Sequence, residues 1–141
     1  MARTDTVGAL SGVPLFESLS GRERSLVARA ARTVAAGAAE ELVREGEPGD
    51  EFFLILDGTA TVRRNGRKVA SLGPGDYFGE LAILDGARRS ATVVADGPAT
   101  LLVLAGRDLV AALEEAPGLS AKLLVAMAGR LREADRRAFA H

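Results

Sequence analysis

The stretch Phe52-Phe53-Leu54-Ile55-Leu56-Asp57-Gly58-Thr59-Ala60-Thr61-Val62-Arg63-Arg64-Asn65-Gly66, continuing from Arg67 to Leu72, decides the fold class. Its apolar and β-branched runs are interrupted twice, at Asp57-Gly58 and at Asn65-Gly66. Such pairs suit a type I′ turn, which needs positive φ at both central residues, so two hairpins are expected here. Upstream lies the turn cluster Glu45-Gly46-Glu47-Pro48-Gly49-Asp50, and downstream another, Gly73-Pro74-Gly75-Asp76. Strand-like runs return at Ala91–Ala95 and Thr100–Leu104, parted by Asp96-Gly97-Pro98. Short strands with turns about every 8–12 residues indicate an all-β sandwich or barrel.

Helical patterns flank this β region. Ser20-Gly21-Arg22-Glu23 fits a capping box, with Ser at the N-cap and Glu at N3. Leu26, Val27 and Ala30 follow at helical spacing, so a short helix is expected over about 20–31. Arg107 to Glu115 carries Leu109, Val110 and Leu113, and Pro117 marks a new helix start. From Leu119 to Ala138 only Gly129 interrupts, and Leu123, Met127 and Leu131 sit four apart. At 1.5 Å per residue this last helix would run about 30 Å. Residues 1–13 are small and polar without periodicity and read as an arm. The expected order is short helix, β-barrel or roll, short helix, long helix.

Composition narrows the function. A length of 141 residues fits one domain, and 48% apolar with 26% charged residues is a globular balance. With no cysteine and His141 as the only histidine, disulfides, thiolate catalysis and most zinc, iron or Ser–His chemistry are excluded. Eighteen basic against nineteen acidic residues give a formal charge of −1, so no overall basic field would gather nucleic acid. No apolar run approaches the roughly 18 residues of a membrane span, and Met1 to Asp5 lacks a signal-peptide core. A cytosolic protein without membrane contact is expected.

The densest chemistry lies in Tyr77-Phe78-Gly79-Glu80-Leu81-Ala82-Ile83-Leu84-Asp85-Gly86-Ala87-Arg88-Arg89-Ser90-Ala91-Thr92-Val93. Gly79 permits close backbone approach, and Glu80 to Leu84 can form one helical turn whose free N–H groups favour an anion. Arg89 can meet the same anion with a bidentate fork. Glu80 would repel a phosphate, and suits hydroxyls or an arginine instead. An anion with hydroxyls beside it describes a sugar phosphate.

Phe78-Gly79-Glu80-Leu81-Ala82 followed by Arg89-Ser90-Ala91-Thr92-Val93 resembles the phosphate-binding cassette of the cyclic-nucleotide-binding domain family. The resemblance covers roughly 14–138. It implies an eight-stranded antiparallel β-roll, jelly-roll-like, over about 33–105, with an N-terminal helix and C-terminal helices over about 106–139. The whole of 14–141 would then be a single binding domain that is not an enzyme and needs no cofactor or metal. Position by position, Arg89 would pair with the cyclic phosphate. Backbone N–H groups of Leu81, Ala82 and Ser90 or Ala91 would hold its exocyclic oxygens. Glu80, helped by Gly79, would take the ribose 2′-hydroxyl, and Val62, Val69 and Leu72 would line base and sugar. Arg130 matches an arginine that reaches the cassette glutamate. Asp135 stands near where relatives contact the adenine amino group, though they place Thr-Ser where this chain has Ala134-Asp135.

Ser90 bears on selectivity. Relatives with threonine after the arginine tend toward cGMP, whereas catabolite activators carry serine there and bind cAMP, so cAMP is the expected ligand and cGMP the alternative. A homodimer through the C-terminal helix or an effector protein would carry the output. Other readings are a ligand-free structural domain of the same fold and a truncated catabolite-activator-type regulator. Because no helix-turn-helix follows before His141, direct DNA binding is not expected.

Overall fold

The capping box forms and starts the first helix. In the computed structural model, which describes residues 16–79, 88–122, 124–125 and 128–129, α1 spans Gly21–Ala30. The Ser20 hydroxyl accepts from Glu23 N at 3.1 Å, and Glu23 Oε1 accepts from Ser20 N at 2.8 Å. Two orphan donors of the first turn are thereby satisfied, an arrangement worth about 1 kcal/mol. Extended backbone at Ala31 ends the helix, and its buried side is Leu26 and Val27.

Eight strands follow among the described residues: β1 (Arg32–Ala36), β2 (Glu41–Val43), β3 (Glu51–Asp57), β4 (Ala60–Arg64), β5 (Arg67–Leu72), β6 (Tyr77–Phe78), β7 (Thr92–Ala95) and β8 (Ala99–Ala105). They form two four-stranded antiparallel sheets, ordered β1-β8-β3-β6 and β2-β7-β4-β5. Helix α2 (Gly106–Glu115) leaves β8 directly, and a further helical segment begins at 117. This is the expected mainly-β roll with flanking helices. Arg130, Asp135, the Leu123, Met127 and Leu131 stripe, and most of the long-helix expectation lie outside the described residues.

The central strands β3 and β8 are buried on both faces, which is why they read as continuous apolar runs rather than alternating ones. Phe52, Leu54, Leu102 and Leu104 pack toward the helices, with Val27, Ala112 and Leu119. Their neighbours Phe53, Ile55, Leu101 and Val103 pack between the sheets, with Ala60, Leu72, Phe78 and Val93. Two aromatic stacks join β3 to β6, Phe53 on Phe78 at 4.8 Å and Phe52 on Tyr77 at 5.5 Å.

One of the two expected hairpins forms. Asn65 and Gly66 both take positive φ, 54° and 77°, and β4 pairs with β5 across them. Asp57-Gly58 does something else. β3 pairs with β8 and β6, never with β4, so the turn carries the chain from one sheet to the other. Only Gly58 has positive φ there, which a type I′ turn does not allow. The crossing is fastened by Asp96, whose carboxylate accepts from Thr59 at 2.8 Å and Thr61 at 2.6 Å. At the far end, Lys122 Nζ meets Glu23 Oε1 at 2.6 Å and ties the last helical segment to α1.

Candidate ligand-binding site

The site is built around Arg89, which stands just before β7 and is only 9% exposed. Main-chain atoms hold it. Its N–H donates to Glu47 O at 2.9 Å, and its carbonyl accepts from Gly46 N at 2.9 Å. Arg88 adds a bond from Nη1 to Gly46 O at 2.9 Å. The segment 88–90 therefore lies along the β2–β3 loop as an extra, non-ladder strand would.

The Arg89 side chain runs to the start of β3, where Nη1 donates to the Glu51 carbonyl at 3.1 Å. Its guanidinium carbon stands 5.8 Å from the centre of the Phe53 ring. The Glu51 carboxylate is engaged elsewhere, with Arg32 Nη2 at 2.7 Å. Among the described residues no carboxylate pairs with Arg89, and one of its five N–H donors is used. A buried cation in this state is costly unless an anion completes it. Burial accordingly pushes the Arg89 guanidinium below its usual range, with the charges of Glu51 and Asp50 opposing the shift.

Two glycines make room for the guanidinium. A Cβ on Gly49 would lie 2.6 Å from Arg89 Cζ, although the backbone of Gly49 is ordinary. Gly79 is constrained twice: φ is +92°, and a Cβ there would fall 2.5 Å from Glu51 O and 2.9 Å from Arg89 Nη1. Neither the Ser90 nor the Ala91 N–H makes a hydrogen bond among the described residues, although Ala91 is only 8% exposed. One fork with free donors and two free amides thus stand in consecutive residues, a constellation suited to an oxyanion.

Of the residues expected from sequence, Gly79, Arg89, Ser90 and Ala91 come together here. Val62 is half-buried beside the intersheet core, and Leu72 is buried within it. Val69 is 52% exposed and occupies the register shift of the β4–β5 pair. Glu80, Leu81 and Ala82 lie outside the described residues. Sequence reasoning treated Gly49 as a turn residue and gave no role to Phe53 or the Glu51 carbonyl. The Gly49-Asp50 pair was the available signal, but its meaning depends on where Arg89 ends.

The chain is similar to known proteins over most of its length. The family described as "Cyclic nucleotide-binding domain" matches residues 32–116. A cAMP-dependent protein kinase regulatory subunit of Mycosarcoma maydis is 44% identical over 92 residues, covering 62% of this chain and 18% of that protein. A cGMP-dependent protein kinase of Eimeria tenella is 36% identical over 106 residues, 75% of this chain and 11% of that one. The crystal structure of Thermus thermophilus Catabolite Activator Protein superposes with a TM-score of 0.79 at 32% identity, covering 89% of this chain and 61% of that chain. The chain thus spans under a fifth of the length of these two kinase relatives and about three-fifths of the activator.

Proposed function

Given that the chain belongs to the cyclic nucleotide-binding domain family, we propose that it is a cytosolic regulatory sensor that takes cAMP at Arg89 and passes the event to its C-terminal helices. The observation that carries this reading is the buried Arg89 guanidinium, framed by Gly49 and Gly79 and lacking a carboxylate partner among the described residues. The cyclic phosphate would fill that vacancy in charge. Arg89 would supply the fork, and the Ser90 and Ala91 N–H groups would take exocyclic oxygens. An Arg–phosphate pair at about 4 Å is worth about 4 kcal/mol at an effective dielectric of 20, before desolvation. Glu80 would take the ribose 2′-hydroxyl, with Leu81 and Ala82 on the phosphate, Val62, Val69 and Leu72 on base and sugar, and Arg130 and Asp135 on the lid.

The output path is short. The segment from 117 is tied to α1 through Lys122 and Glu23, and both α1 and α2 pack on the face of β3 and β8 opposite the intersheet core. A ligand that prefers one helix arrangement over another shifts the population by that difference alone. A second copy of the chain or an effector protein would read the shift. The domain performs no catalysis in this reading.

cGMP is the second reading. The Ser90 side chain is exposed and its hydroxyl has no hydrogen bond among the described residues, which leaves it available to a guanine amino group. Calorimetric titration with cAMP and cGMP, on the parent and on Arg89→Ala, tests both readings. Nucleotide at 100 times its dissociation constant should add about 2.7 kcal/mol of stability to the parent. Arg89→Ala should bind at least about a hundredfold more weakly, the factor expected when charged hydrogen bonds to a phosphate are lost. A parent whose melting is unmoved by millimolar nucleotide would sink the proposal.

A further inference from the structure

The ladder between β4 and β7 stops at an informative place. It pairs Ala60 with Ala95, Thr61 with Val94, Val62 with Val93 and Arg63 with Thr92, and then ends. Asp96 N donates to Thr59 O in the same register, so one further step would set Arg64 opposite Ala91 as a non-hydrogen-bonded pair, and the step after it would bring Asn65 N to the Ser90 carbonyl. The Arg64 side chain takes over instead, its Nε donating to the Ser90 carbonyl at 3.1 Å.

The Ser90 carbonyl and the Ala91 N–H belong to one peptide unit. In a planar trans unit these two groups point in opposite directions. Holding the carbonyl toward the hairpin therefore turns the N–H away from it. The burial agrees, since Ser90 is exposed and Ala91 is buried. The hairpin end that supplies Arg64 is itself fastened: Asn65 N donates to Glu45 Oε1 at 2.9 Å, and Glu45 N donates to Thr92 Oγ1 at 3.0 Å.

We infer that Arg64 is a positioning residue for the anion site, setting the direction of the Ala91 N–H by holding the Ser90 carbonyl. This rests on the proposed reading of the Ala91 N–H as a phosphate donor. Arg64 itself does not reach the ligand in this assignment. Its charge is incidental, and the donor at Nε is what matters.

That distinction makes the test sharp. In Arg64→Gln the amide nitrogen stands the same number of bonds from Cα as Nε, so the donor is kept and the charge lost. Arg64→Met loses both. The Arg64→Met variant should bind cAMP about five- to tenfold more weakly by calorimetry, the size of one hydrogen-bond effect, while Arg64→Gln restores the parent affinity within about twofold. Melting temperatures should agree within about 2 °C, since exposed sites away from the core shift stability little. In the ligand-free chain, the Ala91 amide resonance should move in Arg64→Met and return in Arg64→Gln.

Equal binding by Arg64→Met and the parent would overturn the assignment, as would an Ala91 amide that stays in place. Arg64→Gln binding as weakly as Arg64→Met would also overturn it, because charge alone would then be the cause. A parent that takes no cAMP refutes the functional reading, and the amide comparison still decides the role of Arg64.

Discussion

Gly49→Ala should separate folding from binding. The backbone of Gly49 lies outside the left-handed region, so alanine is compatible with it and the unfolded chain loses some freedom. The added Cβ would stand 2.6 Å from Arg89 Cζ and closer still to its Nε and Nη2, where ordinary contact begins at 3.4 Å, so the guanidinium must retreat by about 1 Å. What it meets is the far end of a flexible side chain, which can move. The stability change should therefore stay within about 1 kcal/mol.

Binding has no such escape. Moving the fork from about 4 to about 5 Å from a phosphate lowers the Coulomb term from about 4 to about 3 kcal/mol at a dielectric of 20. Misaligned charged hydrogen bonds add about 1.5–3 kcal/mol. Together these predict cAMP affinity lower by about 2–4 kcal/mol, or roughly 30- to 1,000-fold. Calorimetric titration and thermal melts of the same preparation measure both quantities. Affinity within threefold of the parent, with unchanged melting, would refute the placement of the phosphate on Arg89.

The contrasting substitution is Gly79→Ala. Here positive φ and the Glu51 carbonyl at 2.5 Å leave no side-chain escape, so stability should fall by about 1–3 kcal/mol together with binding, as melting curves would register. Acid sensitivity follows from two carboxylates. The hydrogen bond from Lys122, then that from the Ser20 backbone, holds Glu23 below its usual 4.5. The Thr61 and Thr59 hydroxyls hold Asp96 below its usual 3.8. Both contributions are full above those usual values and are lost as pH falls through the lower folded-state values. Melting temperature should thus decline below about pH 4.5. Glu23→Gln should reduce stability at neutral pH and flatten the acid decline, and an unchanged acid decline would count against the tether.

The capping box at Ser20 and the Asn65-Gly66 turn were legible because each signal is complete within four residues. Asp57-Gly58 was legible as a turn but not as a crossing. A glycine at a turn reports a backbone conformation, whereas the strand that receives the chain is chosen by the burial of distant residues. The strands β1, β2 and β6 escaped notice for a related reason. They have five, three and two residues, and pair only because β8, β7 and β3 offer edges to them. Arg89 could be picked out because its neighbours form a motif. Gly49 could not, because its requirement is imposed by a guanidinium forty positions later in the chain.

The fastening of Arg89 by main-chain atoms has a consequence for how such a sequence can drift. Its bonds to residues 46, 47 and 51 run to a backbone N–H and backbone carbonyls, which every substitution except proline preserves. Side chains at 47 and 51 are thus free to change across descendants while the arginine keeps its place. The positions where a side chain would collide with the guanidinium itself are Gly49 and Gly79. A search for residues that change in step with Arg89 would find no compensating acid there. The arginine's dependence on its surroundings would be written as two invariant glycines.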